Sequence, residues 1–259
     1  MNALRPILAL AGKEIRVATV SPVLYVVGGV FLAIIGLFFE RIVAFASLQS
    51  MQMLRLQGAL PQLDLTTLVF QPMFRNIHVI LLLVIPLLTM RLLSEERKYK
   101  TAELLMTSPV TVTQLIAGKF AAVFALYAGL LVLTLYMPVL LDVWGAVDWP
   151  TVLAGYLGLL LVGAVYLALG LLASSLTENQ ISAGVVALGM ILGLWVIGWA
   201  ALTADSEELR SLLEYLSVTH HFENFLKGLL SVTGAAYALS LASFSLFLTH
   251  RVLDSSRWR

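Results

Sequence analysis

VATVSPVLYVVGGVFLAIIGLFF, residues 17–39, carries no charged side chain. A helix needs roughly 20 apolar residues to traverse a hydrocarbon core of about 30 Å, and this stretch supplies them. Arg5, Lys13 and Arg16 precede it, as basic residues precede a secretory signal, but the run exceeds a signal's apolar region. It reads as a retained membrane anchor. Working outward, further charge-free runs occur at 76–90, 120–141, 149–177, 179–204 and 228–249. In lipid only helices and closed barrels satisfy their backbone hydrogen bonds, and these runs are too long and too unalternating for barrel strands.

The expected fold is therefore all-α, a single polytopic membrane domain over residues 1–259 with six transmembrane helices. The spans are placed at about 22–39, 76–93, 119–141, 151–173, 181–203 and 229–250. The second rests on the shortest charge-free run, 76–90, and Pro86 is expected to kink it. Composition agrees. Of 259 residues 60% are hydrophobic and 12% charged, against about 45–50% and about 25% in soluble domains. Mean hydropathy is +0.94, and the apolar excess must face lipid. A net charge of +1 gives no electrostatic case for nucleic acid. With no cysteine, disulfides and thiolate metal sites are excluded.

Basic residues set the orientation. With a cytoplasmic N-terminus, the inner segments hold Arg5, Lys13, Arg16, Arg91, Arg97, Lys98, Lys100, Lys119, Arg251, Arg257 and Arg259. The outer segments hold only Arg41, Arg55, Arg75, Arg210 and Lys227. Both termini are thus expected in the cytoplasm. Residues 40–75 form a moderately polar outer loop, partly helical.

Residues 1–21 mix Leu4, Ile7, Leu8, Ile15 and Val17 with Arg5, Lys13, Glu14 and Arg16, a pattern that suits an amphipathic helix on the inner leaflet. Residues 94–118 are expected to be helix, break, helix. A short surface helix begins at Ser94, with Glu96 and Lys100 one turn apart. Ser108-Pro109 ends it, and Thr111-Val112-Thr113-Gln114 restarts a helix through a capping box. Residues 205–228 read as one or two amphipathic helices at the outer interface, opened by Asp205-Ser206-Glu207-Glu208. His220-His221-Phe222-Glu223 invites a metal reading, but its ligands are crowded and its spacing is not HExxH.

Several chemistries are disfavoured. Gly118-Lys119 resembles the end of a phosphate-binding loop, yet Thr113 stands where the first glycine belongs and Phe120 where a hydroxyl belongs. No nucleotide site or other cofactor is expected, and no catalytic residue. The four long runs after Lys119 lack the intramembrane charges of ion-coupled pumps. Hydroxyls such as Tyr127, Thr134, Tyr156 and Tyr166 are expected to bond between helices. Gly189 and Gly193 form a GxxxG, read first as packing within the chain and second as a dimer contact.

The order of features resembles permeases of the type-2 ABC exporter superfamily, especially the gliding-motility (GldF-like) branch. Lys13-Glu14-Ile15 with Ser21-Pro22-Val23-Leu24-Tyr25 is similar to the entry into the first span. Met90-Arg91-Leu92-Leu93-Ser94-Glu95-Glu96-Arg97, then Thr101-Ala102-Glu103-Leu104-Leu105-Met106-Thr107-Ser108-Pro109-Val110 and Gly118-Lys119-Phe120, is similar to the most distinctive motif. His221-Phe222-Glu223-Asn224-Phe225 with Lys227-Gly228, and the tail Arg257-Trp258-Arg259, complete the likeness. Lys100 departs from it, standing where glycine is expected.

The resemblance implies a bacterial inner-membrane permease that works with two cytoplasmic ATPase subunits and a second permease, the same or a different chain. A periplasmic auxiliary protein is a further possible partner. It also implies that Glu95 to Thr107 is a coupling helix seated in the ATPase, with Glu95, Glu96, Arg97, Tyr99, Lys100, Thr101, Glu103, Leu104 and Thr107 as coupling residues. ATP touches only the partner in that reading. The competing reading is a membrane anchor or assembly subunit of an envelope or motility machine that transports nothing.

Overall fold

Twenty-odd apolar residues without a breaker form a helix in lipid because no other conformation satisfies the backbone. The computed structural model, which describes residues 4–57, 66–99, 111–143 and 147–255, is helical accordingly. Helix α1 (Leu4–Val20) leads through Ser21 into α2 (Pro22–Gln57). A π-helical turn, Thr66–Phe70, runs into α3 (Gln71–Thr89), and α4 (Ser94–Lys98) follows. Then come α5 (Val112–Leu133), α6 (Tyr136–Asp142), α7 (Trp149–Leu176) and α8 (Gln180–Leu202). Next are α9 (Glu207–Leu216), α10 (Val218–Leu226) and α11 (Val232–Ser255). Six segments are long and apolar enough to cross a membrane, built on α2, α3, α5 with α6, α7, α8 and α11.

Local signals define the ends. The capping box is complete: Gln114 N–H donates to Thr111 Oγ1 at 3.3 Å and Thr111 N–H to Gln114 Oε1 at 3.0 Å. Asn179 Oδ1 caps α8 through Ile181 N–H at 2.8 Å. Ser206 caps α9 and Ser217 caps α10 in the same way. Gly228 closes α10 at φ +76°, in the left-handed region that favours glycine.

Two elements depart from expectation. Helix α2 runs beyond the expected span end at Phe39, through Glu40 and Arg41 to Gln57, and supplies the helical part expected of residues 40–75. These two charges pair at 3.6 Å on the exposed helix surface, where they cost nothing in helix geometry, and no proline or glycine intervenes before Gly58. The third span breaks at Thr134–Leu135. Pro138 cannot donate to the Thr134 carbonyl and its ring crowds that oxygen. The Thr134 hydroxyl instead donates to Leu131 O at 2.7 Å and meets Tyr156 OH at 3.0 Å.

Helix α7 is the centre of the bundle, with α3, α5, α8, α10 and α11 packed around it. Val165, Tyr166, Leu167 and Ala168 are successive residues and all are buried, so the helix is enclosed on every side. Small residues make this possible. A Cβ on Gly155 would lie 2.2 Å from the Phe74 ring, one on Gly163 2.2 Å from the Tyr127 ring, and one on Gly170 2.1 Å from Thr89 Oγ1. The GxxxG expected to pack within the chain does not do so. Gly189 and Gly193 are exposed, and a Cβ on either meets nothing within 4 Å. Helix α8 turns that face away from its own bundle.

Among the described residues the buried side-chain polar atoms are paired, Thr219 Oγ1 excepted. His78 on α3 was absent from the hydroxyls expected to bond between helices. Its Nε2 lies 2.7 Å from Tyr166 OH, and Phe222 of α10 closes edge-on over its ring. Tyr127 OH donates to Leu159 O at 2.6 Å.

Candidate functional site

One end of the bundle gathers α1, α4, the start of α5 and the ends of α3, α7 and α11. Its centre is Lys119, on the second turn of α5. Hydropathy alone would put an ammonium there in water, yet its side chain is only 2% exposed. Lys119 Nζ lies 2.9 Å from Glu14 Oε1 on α1 and 2.8 Å from Glu96 Oε1 on α4. Both carboxylates are largely buried, at 17% and 15% exposure. Removing one partner of such a group costs about 3–5 kcal/mol, because an uncompensated charge stays buried. Gly118, next to Lys119, lets α1 lie directly on α5: a Cβ there would sit 2.8 Å from Leu10 Cβ and 3.2 Å from Ile7 O.

The corner between α3 and α4 is fixed to α7. Leu93 N–H and Ser94 N–H both donate to Ser174 Oγ, at 3.0 and 3.1 Å, and Ser174 Oγ donates to Met90 O at 3.2 Å. Arg97 donates to the Ser175 carbonyl. Arg91 donates to Ser21 Oγ at 3.1 Å, tying the corner to the turn between α1 and α2. Beneath these bonds Leu93, Val112, Ile116, Leu171 and Leu253 form a small apolar cluster. Glu95 and Glu14 border a cavity of about 120 Å³ between α1, α2, α3 and α5.

The coupling residues named from sequence divide between two directions. Glu96 and Arg97 turn inward, onto Lys119 and Ser175. Tyr99 is exposed, and Lys98, which was not among the named residues, is exposed beside it with its ammonium 5.7 Å over the Tyr99 ring. On α1, Arg5, Lys13 and Arg16 are exposed while Glu14 faces α5. Lys100, Thr101, Glu103, Leu104 and Thr107 lie outside the described residues, as do the Ser108-Pro109 break and the tail at 257–259.

Sequence reasoning missed the role of Lys119, counted only among basic loop residues and in a motif. Its partners are remote in the chain, Glu14 being 105 residues away. A signal was nonetheless present, since Lys119 directly precedes the charge-free run 120–141 with no polar neighbour to keep it in water. At the opposite end, the His221 ring lies 3.0 Å from the Tyr215 carbonyl and stacks on Tyr237. The Arg210 guanidinium is held above its ordinary pKa, first by its hydrogen bond to Glu214 and then by the charge of that carboxylate.

A helical bundle with six segments long and apolar enough to cross a membrane, and with a buried three-way ion pair at one end, defines a polytopic membrane protein. The profile of the ABC-2 family transporter proteins matches residues 8–252, nearly the whole chain, and the chain belongs to that family. It is thus a membrane-embedded permease subunit of an ABC transporter, a class whose ATPase activity resides on partner subunits. No curated protein matches the chain.

Proposed function

We propose that this permease serves an ATP-driven exporter, in a bacterial inner membrane with both termini cytoplasmic, and that the junction at Lys119 receives force from the ATPase. The observation that carries the reading is the buried ammonium shared by Glu14 and Glu96. A partner seated on α4 and the residues after it can move Glu96. Through Lys119 that displacement reaches α5 and α1, and through Ser174 and Ser175 it reaches the central α7. A loop that served only to join two spans has no use for a buried three-way ion pair.

The exposed Lys98 and Tyr99 then belong to the docking surface, with Thr101, Glu103, Leu104 and Thr107 continuing it. The complex holds two ATPase subunits and two permeases. The open Gly189 and Gly193 face of α8 supports contact with the second permease, because small residues let helices approach closely. The gliding-motility branch rests on the motif at 90–110. Helix α1 lies on the inner leaflet, with exposed Leu4 and Leu8, one turn apart on one face, toward the acyl region.

Co-purification from native membranes in mild detergent tests this reading. A stoichiometric ATPase is expected with the wild-type chain and is lost or depleted with Tyr99→Ala and Glu103→Arg. Large envelope proteins without any nucleotide-binding chain would replace transport with the anchor function.

A further inference from the structure

A second site lies at the same end of the bundle, away from the Lys119 junction. Between the first turns of α5 and the last turns of α11 there is an open cleft of about 470 Å³, lined by Thr113, Ile116, Ala117, Leu246, Phe247, His250 and Arg251. That volume falls in the range of small-molecule sites, about 300–1,000 Å³. Its composition is graded along the helices. Toward the middle of the bundle Ala117, Ile116, Leu246 and Phe247 make apolar walls, and toward the end of α11 stand His250 and Arg251. The Arg251 guanidinium is 5.1 Å from the centre of the Phe247 ring, which holds its stem along the cleft. Among the described residues no carboxylate is within ion-pair distance of Arg251, and the half-buried Asp254, one turn on, makes no ion pair with it.

We propose that this cleft binds an anionic phospholipid, with an acyl chain along the apolar walls and the phosphate held by Arg251 and His250. Charge decides the occupant. A cationic group above an apolar slot matches an anionic headgroup joined to a hydrocarbon chain, and basic pockets between membrane helices take such lipids. A free soluble anion gains nothing from the apolar walls, and a zwitterionic lipid gains less from the guanidinium. The site uses none of the junction's polar residues and shares only Ile116 with the apolar cluster beneath it, so it stands whether or not an ATPase works through Lys119.

Native mass spectrometry of the full-length chain in detergent tests it, with dioleoylphosphatidylglycerol and dioleoylphosphatidylcholine titrated separately. Wild type is expected to retain one phosphatidylglycerol per chain in preference to phosphatidylcholine. Arg251→Gln, at an exposed side chain, lowers that affinity about five-fold, the effect of about one basic group at a lipid surface, and Arg251→Lys keeps it. Ala117→Phe leaves both bases in place but fills the slot, and also loses the lipid. Arg41→Gln, which removes a distant exposed cation, changes nothing. Equal retention of the two lipids by wild type overturns the proposal. So does unchanged phosphatidylglycerol binding in both Arg251→Gln and Ala117→Phe.

Discussion

Lys119 concentrates more of the protein's electrostatics than any other described residue, because its two carboxylates come from different elements. Lys119→Met should leave Glu14 and Glu96 buried without their cation and destabilise the fold by about 3–5 kcal/mol, read as a lowered unfolding temperature in detergent. An unchanged unfolding temperature would mean that both carboxylates escape to water without cost. His78 and Tyr166 make a second, neutral test. Tyr166→Phe leaves the His78 nitrogen without its partner and should cost about 1–3 kcal/mol in the same measurement. His78→Phe with Tyr166→Phe should recover much of that loss, since no buried polar group then lacks a partner. At this scale the sequence was least legible. Glu14, Glu96 and Lys119 are each ordinary surface residues by type, and only the fold brings them together. His78 hid inside a run read as apolar.

Helices were far more legible, because their signals are local. The capping box at Thr111 and Gln114, the cap at Ser206 and the turn at Ser21-Pro22 all stand where the spacing of residue types puts them. The failures have physical reasons. The end of α2 was drawn at a charged pair that a helix carries easily on its surface, and the break after Thr134 needed Pro138 to be weighed. Packing glycines were sought by motif, at Gly189 and Gly193, whereas the close approaches occur at isolated glycines along α7. Gly163→Ala drives a methyl into the Tyr127 ring and should destabilise the bundle by about 1–3 kcal/mol, seen as loss of monodisperse protein at lower temperature. Gly189→Ala meets no atom and should unfold as wild type does. Equal effects of the two would contradict the packing of α7.

For the whole molecule, hydropathy carried the fold class and the family motif carried the class of function, both from sequence. What neither contains is which surfaces stay open for partners. The exposed glycine face of α8 predicts that Gly189→Leu with Gly193→Leu leaves the chain folded but shifts it from two permeases per complex to one, measured by light scattering of the purified complex. An unchanged mass would place the second permease elsewhere. The claim that the Lys119 junction transmits ATP-driven motion is tested most directly by charge exchange. ATP hydrolysis coupled to transport is to be measured in reconstituted complexes carrying wild type, Lys119→Glu, and Lys119→Glu with Glu96→Lys. The double variant again has one ammonium and two carboxylates at the junction. The account predicts that the single variant binds ATPase but loses coupling, and that the double variant recovers it. Full coupling in the single variant, or no recovery in a folded double variant, would contradict it.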